Sequence, residues 1–352
     1  MKLFLHAGTE KTGSSHIQTL CVNGREHLQA AGIWFPEGIP RHERRMRAGL
    51  VSAGNAFVIS ERAREGDHAD VLAELVRHRE AGQSGNCRAV FLTSELLLPY
   101  CANPGTWQKL FENCRQAGFD SVSVLMVLRN PVEQLISLYK HRARSGRAGR
   151  MDEWVEDGYH LPRDLEQLRK QADVEGIELT ARGYTRRPGG LEDLFFRDWL
   201  NMQAPPPTID GEVNPSLSLS ELELVRHMNM RRPELVPFLH EHLSALPRTC
   251  KVQGSTLEAH ARAVVETAVW QHREEWQRWN ELLPECEHLT LPENPPEIPE
   301  RPEELGFSDR QVEALAGFLA EAARPGFVAR VWWRGWLRPG LGKLRSKFQG
   351  KG

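Results

Sequence analysis

The stretch that most constrains this chain is Leu3-Phe4-Leu5-His6-Ala7-Gly8-Thr9-Glu10-Lys11-Thr12-Gly13-Ser14-Ser15-His16-Ile17-Gln18. A short apolar run gives way there to a loop bounded by two glycines, and the loop to residues with helical spacing. Gly8 and Gly13 permit backbone angles that a side chain disfavours. Ser14 and Ser15 fall where the first N–H groups of a helix lack intrahelical partners and the helix dipole is positive. A strand, a glycine-bounded loop and a helix in that order make a cradle for a phosphate or a similar oxyanion, with Lys11 as a movable cation.

The spacing Gly8-x-x-x-x-Gly13 matches the opening of a nucleoside-triphosphate P-loop, but that loop continues with Lys and then Ser or Thr. Here Ser14-Ser15 follows and the lysine stands inside the loop. Further along, Arg88 to Ser94 reads as a buried strand ending in Ser94-Glu95, and Ser121 to Leu128 is the clearest strand of the chain. Gly176 to Tyr184 reads as another. Helical patterns lie between them: residues 17 to 32, closed by Gly32; 61 to 79; 107 to 117; and 132 to 139. Strands alternating with helices imply a parallel sheet, whose ligands sit beyond the carboxyl ends of the strands. Arg129 stands at such an end, where its planar guanidinium suits phosphate oxygens. Asn130-Pro131 after it opens a helix on which Ser137 occupies the second turn.

Two of these passages carry a family resemblance. His6 to Ser15 resembles the 5'-phosphosulfate loop of sulfotransferases that use 3'-phosphoadenylyl sulfate (PAPS), in the form common among bacterial carbohydrate-type members. Leu128-Arg-Asn-Pro-Val-Glu-Gln-Leu-Ile-Ser-Leu-Tyr139 resembles the 3'-phosphate motif of the same enzymes. Residues 191 to 200, and Asn214-Pro215-Ser216-Leu217-Ser218-Leu219, add weaker similarity, although Ser218 or Ser220 also suits a helix cap. The likeness spans residues 2 to 230. It implies an α/β fold, a P-loop NTPase-like parallel sheet flanked by helices, with a largely helical C-terminal half. On that basis residues 1–325 form the sulfotransferase domain, with a nucleotide-binding core at 1–200 and a helical acceptor-side region at 201–325.

The resemblance further implies PAPS as co-substrate, held by Gly8, Lys11, Thr12, Gly13, Ser14, Ser15, Arg129 and Ser137, with no metal ion. Lys11 follows the charge that builds on the departing oxygen, and a general base takes the acceptor's proton. Glu95, just past a strand's carboxyl end, is the first candidate for that base; His42 and Glu37 are rivals. The acceptor implied is a hydroxyl or amine of a saccharide or glycolipid. The family's late Arg-Lys-Gly loop is absent, and Arg231, Arg232 and Lys251 remain as substitutes for it. Two other classes stay open: a small-molecule kinase on the same scaffold, and a non-catalytic, membrane-associated carbohydrate-binding protein.

Composition separates the C-terminus from the rest. The formal net charge is -2, yet residues 324–352 hold eight Lys or Arg and no acid, interleaved with Trp332, Trp333 and Trp336. This basic aromatic tail, 326–352, suits an anionic membrane surface or an acidic glycan; near-neutral charge overall gives no reason to expect nucleic acid. The six cysteines form no C-x-x-C pair or zinc-ligand spacing and read as buried reduced thiols. With no leader and no membrane-length apolar run, the expectation is a cytoplasmic protein, peripheral at the membrane if the tail binds there. Trp270, Trp276 and Trp279 fit helix packing better than sugar stacking. Residues 292–302 form a proline-rich linker, and 308–323 a capped helix with Val312, Leu315, Ala316 and Leu319 on one face.

Overall fold

The structure is a computed structural model that describes residues 1–146, 148–184, 190–207, 217–252 and 255–324. Five strands, β1 (Lys2–His6), β2 (Ile33–Trp34), β3 (Ala89–Thr93), β4 (Ser121–Leu128) and β5 (Glu178–Gly183), form one parallel sheet. Their order is β2-β3-β1-β4-β5. β3 is buried throughout, and β1 and β4 are buried beyond their first residues. Near-continuous apolar runs are what a parallel sheet covered on both faces demands.

The helices are α1 (Ser14–Asn23), α2 (Arg25–Ala30), α3 (Pro40–Arg47), α4 (Phe57–Glu65), α5 (His68–Ser84), α6 (Leu97–Tyr100), α7 (Thr106–Gln116) and α8 (Pro131–Ala143). There follow α9 (Met151–Gly158), α10 (Leu161–Glu175) and α11 (Gly190–Glu192), the last running into a π-helical stretch, Asp193–Trp199. α12 (Leu219–Arg231), α13 (Val236–Ser244), α14 (Thr256–Gln271), α15 (Arg273–Asn280) and α16 (Asp309–Ala322) complete the set.

Register is what positions the site. His6 at the end of β1 pairs with Thr93 of β3 and with Leu125 of β4, but β4 runs on to Leu128. The chain after β1 stays beside it: Ala7 N–H donates to the Leu125 carbonyl, Val127 N–H to Gly8, and Thr9 N–H to Val127. Arg129 therefore emerges level with the glycine-bounded loop. The connections leave β1 toward β2 and β3 on one side, then cross to β4 and β5 on the other. Ligands of open parallel sheets bind at such a reversal.

The chain divides into two compact units. One comprises residues 1–135, 159–211 and 267–295 and contains the sheet. Its core packs Phe4, Phe91 and Phe195 edge to face against Trp199, with Ile17, Leu20 and Leu28 of α1 and α2 in the same cluster. The Trp199 indole N–H donates to Ser123 Oγ at 3.0 Å, so even this aromatic's polar atom is satisfied. The other unit comprises 136–158, 212–266 and 296–352, and its described residues are helices and connections. At its centre Lys251 and Glu221, both buried, pair at 3.0 Å. Gln311 donates to the second Glu221 oxygen at 2.9 Å, and Ser218 and Glu221 form a reciprocal capping box that starts α12.

Several sequence expectations are corrected. The helix expected through to Gly32 breaks at Gly24, where a Cβ would lie 2.6 Å from Pro206; Gly32, at φ +77°, does end α2 in a left-handed turn. β2 and the start of α3 lie between Gly32 and His42, where the sequence gives no strand or helix pattern. The 61–79 helix is two helices, because Gly66 at φ +78° closes α4 and returns its N–H to Ala63. The helical stretch that carries Trp270, Trp276 and Trp279 is divided at His272 into α14 and α15. Trp276 and Trp279 are fully buried, as helix-packing aromatics are, while Trp270 is exposed. Cys286 is exposed and Cys250 half-buried, so burial holds for only the other four thiols. α16 buries Gln311 and Phe318, and the apolar stripe through Val312 and Leu319 faces outward. Residues 214–216 of the Asn-Pro-Ser segment and the tail lie outside the described residues, and Ser218 is a helix cap. Among the described residues no helix is long and apolar enough to cross a membrane.

Candidate active site

The loop between β1 and α1 adopts the left-handed backbone at three points: Gly8 (φ +119°), Lys11 (φ +67°) and Gly13 (φ +85°). For lysine that conformation is disfavoured by roughly 1–2 kcal/mol, so the surrounding contacts hold it there. Thr9 and Thr12, both buried, supply two of them. Thr9 Oγ1 donates to the Val127 carbonyl at 2.9 Å, and Thr12 Oγ1 to the Thr9 carbonyl at 2.6 Å. Gly13 is the N-cap of α1 and offers no side-chain cap. A Cβ there would lie 2.5 Å from Leu191 Cδ2 and 3.4 Å from the Tyr184 ring, so the backbone is closely covered on that side.

The loop is rich in unused donors. Among the described residues, the N–H groups of Thr12, Gly13, Ser14 and Ser15 have no hydrogen-bond partner; the α1 ladder begins with His16 and Ile17 donating to Gly13. Ser14 Oγ is buried and also without a partner. Buried polar groups in native proteins are almost always satisfied. Convergent N–H groups, an unsatisfied hydroxyl and a helix N-terminus are the donor set an oxyanion takes up, so the residues present fit a phosphate or sulfonate group.

Arg129 reaches this loop from β4. Its Nη1 donates to the Lys11 carbonyl at 3.4 Å, and its guanidinium lies 5.8 Å from the centre of the Tyr184 ring. The Arg129 guanidinium thus lies against the backbone of the loop that carries Lys11. Ser137 is half-buried on α8, one turn beyond Gln134. Glu95 follows β3, where Ser94 N–H donates to the His6 carbonyl; its Cα and carbonyl oxygen lie 3.8 Å from where a Cβ on Gly8 would stand. The backbone of the first candidate base therefore lies beside the loop.

His42 is set differently. It lies on α3, which Arg25 of α2 anchors through two hydrogen bonds to Glu43. His42 Nδ1 accepts from Ala53 N–H at 3.2 Å and the ring packs on Phe57. Burial, then Arg41 and Arg45, lower its pKa. Only Nε2 is left for proton transfer. Glu37 is exposed in the connection after β2. Lys251 is buried against Glu221, which removes it as a surface cation, and Arg232 pairs with Glu234.

Sequence reasoning missed three residues of the site. Gln134 of α8 is buried and donates to Thr9 Oγ1 at 2.6 Å and to the Glu10 carbonyl at 2.8 Å. Tyr184 stands between Gly13 and Arg129, and Thr9 ties the loop to β4. A signal for Gln134 existed: it is the one amide among Val132, Leu135 and Tyr139 on the buried side of an otherwise apolar face. Among the described residues no group of three or more His, Cys, Asp or Glu could hold a metal ion.

No protein-family model matches the chain, and no curated protein matches it. Among solved structures, the chain is similar to the crystal structure of a sulfotransferase from Alicyclobacillus acidocaldarius. The identity is 20%, over 70% of this chain and 96% of that one, with a TM-score of 0.34. A likeness of that size does not assign an activity.

Proposed function

We propose that this chain is a PAPS-dependent sulfotransferase acting on a hydroxyl or amine of a saccharide or glycolipid. The observation that carries the reading is that the Arg129 guanidinium, from the end of β4, meets the backbone of the loop after β1, which carries Lys11 and the unpartnered N–H groups of residues 12–15. One nucleotide phosphorylated at both 5' and 3' positions has the charge distribution to use both.

PAPS supplies an activated sulfuryl group on its 5'-phosphate. In this reading Thr12, Gly13, Ser14 and Ser15 hold the 5'-phosphate through backbone N–H groups and the Ser14 hydroxyl. Arg129, with Ser137 as the resemblance implies, holds the 3'-phosphate. Lys11 stabilises negative charge on the bridging oxygen as the sulfur–oxygen bond breaks, a preorganised electrostatic role. Glu95 accepts the proton that the acceptor oxygen or nitrogen loses as it bonds to sulfur. Its place beside Gly8 favours it over His42, whose Nδ1 is already engaged. The basic tail suits an acidic or membrane-borne acceptor.

Calorimetry separates this reading from its rivals. Expected is tight binding of adenosine 3',5'-bisphosphate and weak binding of ATP with Mg²⁺; the reverse order makes the protein a kinase, and binding of neither makes it non-catalytic. A labelled-sulfate transfer screen over saccharide acceptors then identifies the acceptor, and loss of transfer in Glu95→Gln but not His42→Ala assigns the base.

A further inference from the structure

Gln134 closes a ring of contacts between the two ends of the proposed nucleotide site. Its amide orientation follows from its partners. Thr9 Oγ1 already donates its hydrogen to the Val127 carbonyl, so toward Gln134 it can only accept, and the Glu10 carbonyl is an acceptor alone. The nitrogen must therefore face both, which leaves Oε1 buried and unpartnered among the described residues. In the other direction Gln134 N–H donates to the Asn130 carbonyl at 2.9 Å, and the Asn130 side chain caps the same turn through Glu133 N–H. Asn130 adjoins Arg129, whose guanidinium reaches the Lys11 carbonyl. Loop residues 9–11, Gln134, the first turn of α8 and Arg129 thus form one closed circuit in which no link is longer than a hydrogen bond or a peptide unit.

We infer that Gln134 is a positioning residue that couples the two phosphate sites, so that a 3'-phosphate held by Arg129 tightens the loop's grip on the 5' group. This rests on the nucleotide reading above. The physical reason is that the loop's left-handed Lys11 and unsatisfied N–H groups are held in place from one side by Thr9 and Glu10, and those two residues are held by Gln134. An anion that orders Arg129 and the start of α8 orders Gln134 with it. Two ligands that each stabilise the same arrangement bind cooperatively, by typically about 5–150-fold.

The test measures affinities of adenosine, adenosine 5'-monophosphate, adenosine 3'-monophosphate and adenosine 3',5'-bisphosphate by calorimetry, in the full chain and in Gln134→Leu, with thermal unfolding as a check on folding. In the native protein a 3'-phosphate should strengthen binding of the 5'-monophosphate by about tenfold more than it strengthens binding of adenosine. In Gln134→Leu that excess should vanish while 3'-monophosphate affinity, which draws on Arg129 and Ser137, stays. Gln134→Glu keeps the shape but turns an acceptor toward two acceptors, and should lose the excess as well. If Gln134→Leu folds and retains the full excess, the coupling is overturned while the nucleotide reading stands. If the native protein itself gains nothing from the 3'-phosphate, both fall. A loss of all three affinities in equal measure also overturns the coupling, since it makes Gln134 a packing residue.

Discussion

The centre of the helical unit and the surroundings of the loop after β1 hold their buried polar groups differently. In the helical unit, Lys251, Glu221, Gln311 and Ser218 are all buried and satisfy one another, with Lys251 donating also to the Leu243 carbonyl at 2.9 Å. In the sheet unit, Ser14 Oγ, both amide atoms of Gln18 and Gln134 Oε1 are buried around the loop and, among the described residues, find no partner. A closed network of this kind specifies a structure. An open one costs stability at each unmet group, about 1–3 kcal/mol, and is retained where something else completes it.

Four measurements break or sharpen that contrast. The largest effect is expected from Lys251→Met, which strands Glu221 in the interior; breaking a buried pair destabilises by about 3–5 kcal/mol, read as a lowered denaturant midpoint. Nucleotide affinity below the transition should hardly move. Substituting Glu221→Gln in the same chain should recover part of the loss, because the uncompensated charge is then gone.

Lys11→Ala should do the converse: unfolding changes little, whereas sulfuryl transfer falls by about 10²–10³, the usual range for losing one preorganised donor. A Lys11 variant that retains transfer would remove the lysine from the chemistry.

Third is pH. Burial drives the His6 pKa from 6.5 down to about 3, against a smaller opposing pull from the Gly8 backbone. The unfolded chain therefore binds a proton that the folded chain refuses between those values, and stability present above about pH 6.5 is lost as pH falls toward 3. His78, lowered to about 4 chiefly by burial, adds to it with the same sign. His6→Gln should lose less stability than the native protein between pH 7 and pH 4 in chemical denaturation; an unchanged slope would mean that His6 is not buried neutral.

The smallest effect is the most diagnostic. Ser14→Ala removes a buried hydroxyl that has no partner in the free protein, so it should leave stability unchanged or raise it by up to about 1 kcal/mol. The same change should weaken adenosine 3',5'-bisphosphate by about tenfold, because a hydrogen bond to a charged group is worth roughly 1.5–3 kcal/mol. Loss of stability without loss of affinity would make Ser14 part of the scaffold.

The most local features were readable before folding. The runs at residues 88–94 and 121–128 are apolar enough to be strands only if covered on both faces, and they are β3 and β4. The turn at Gly13 follows from glycine's access to a backbone that alanine resists, and the Ser308 cap of α16 from a side chain that bonds its own helix, as its capping box with Gln311 does. Less legible were features that depend on distant partners. β2 is only two residues long and exists because Ile33 and Trp34 pair with Ala89 and Val90. Gly24 stands where α1 gives way to α2, and Pro206, far away in the sequence, leaves no room there for a Cβ. The stripe through Val312 and Leu319 has helical period, but periodicity states that a face is apolar, not which face is buried; Gln311 took that place because Glu221 and Ser218 were there to bond it.

By itself, then, the sequence determined the kind of object: a parallel α/β sheet with a glycine-bounded loop between its first strand and first helix, since backbone angles, strand burial and helix ends are governed by residues close together in the chain. Only the tertiary structure decided that β4 outruns β1 by three residues and so sets Arg129 against the carbonyl of Lys11, and that Gln134 holds the loop from behind. Register and buried hydrogen bonds join positions more than a hundred residues apart, and no local preference encodes them.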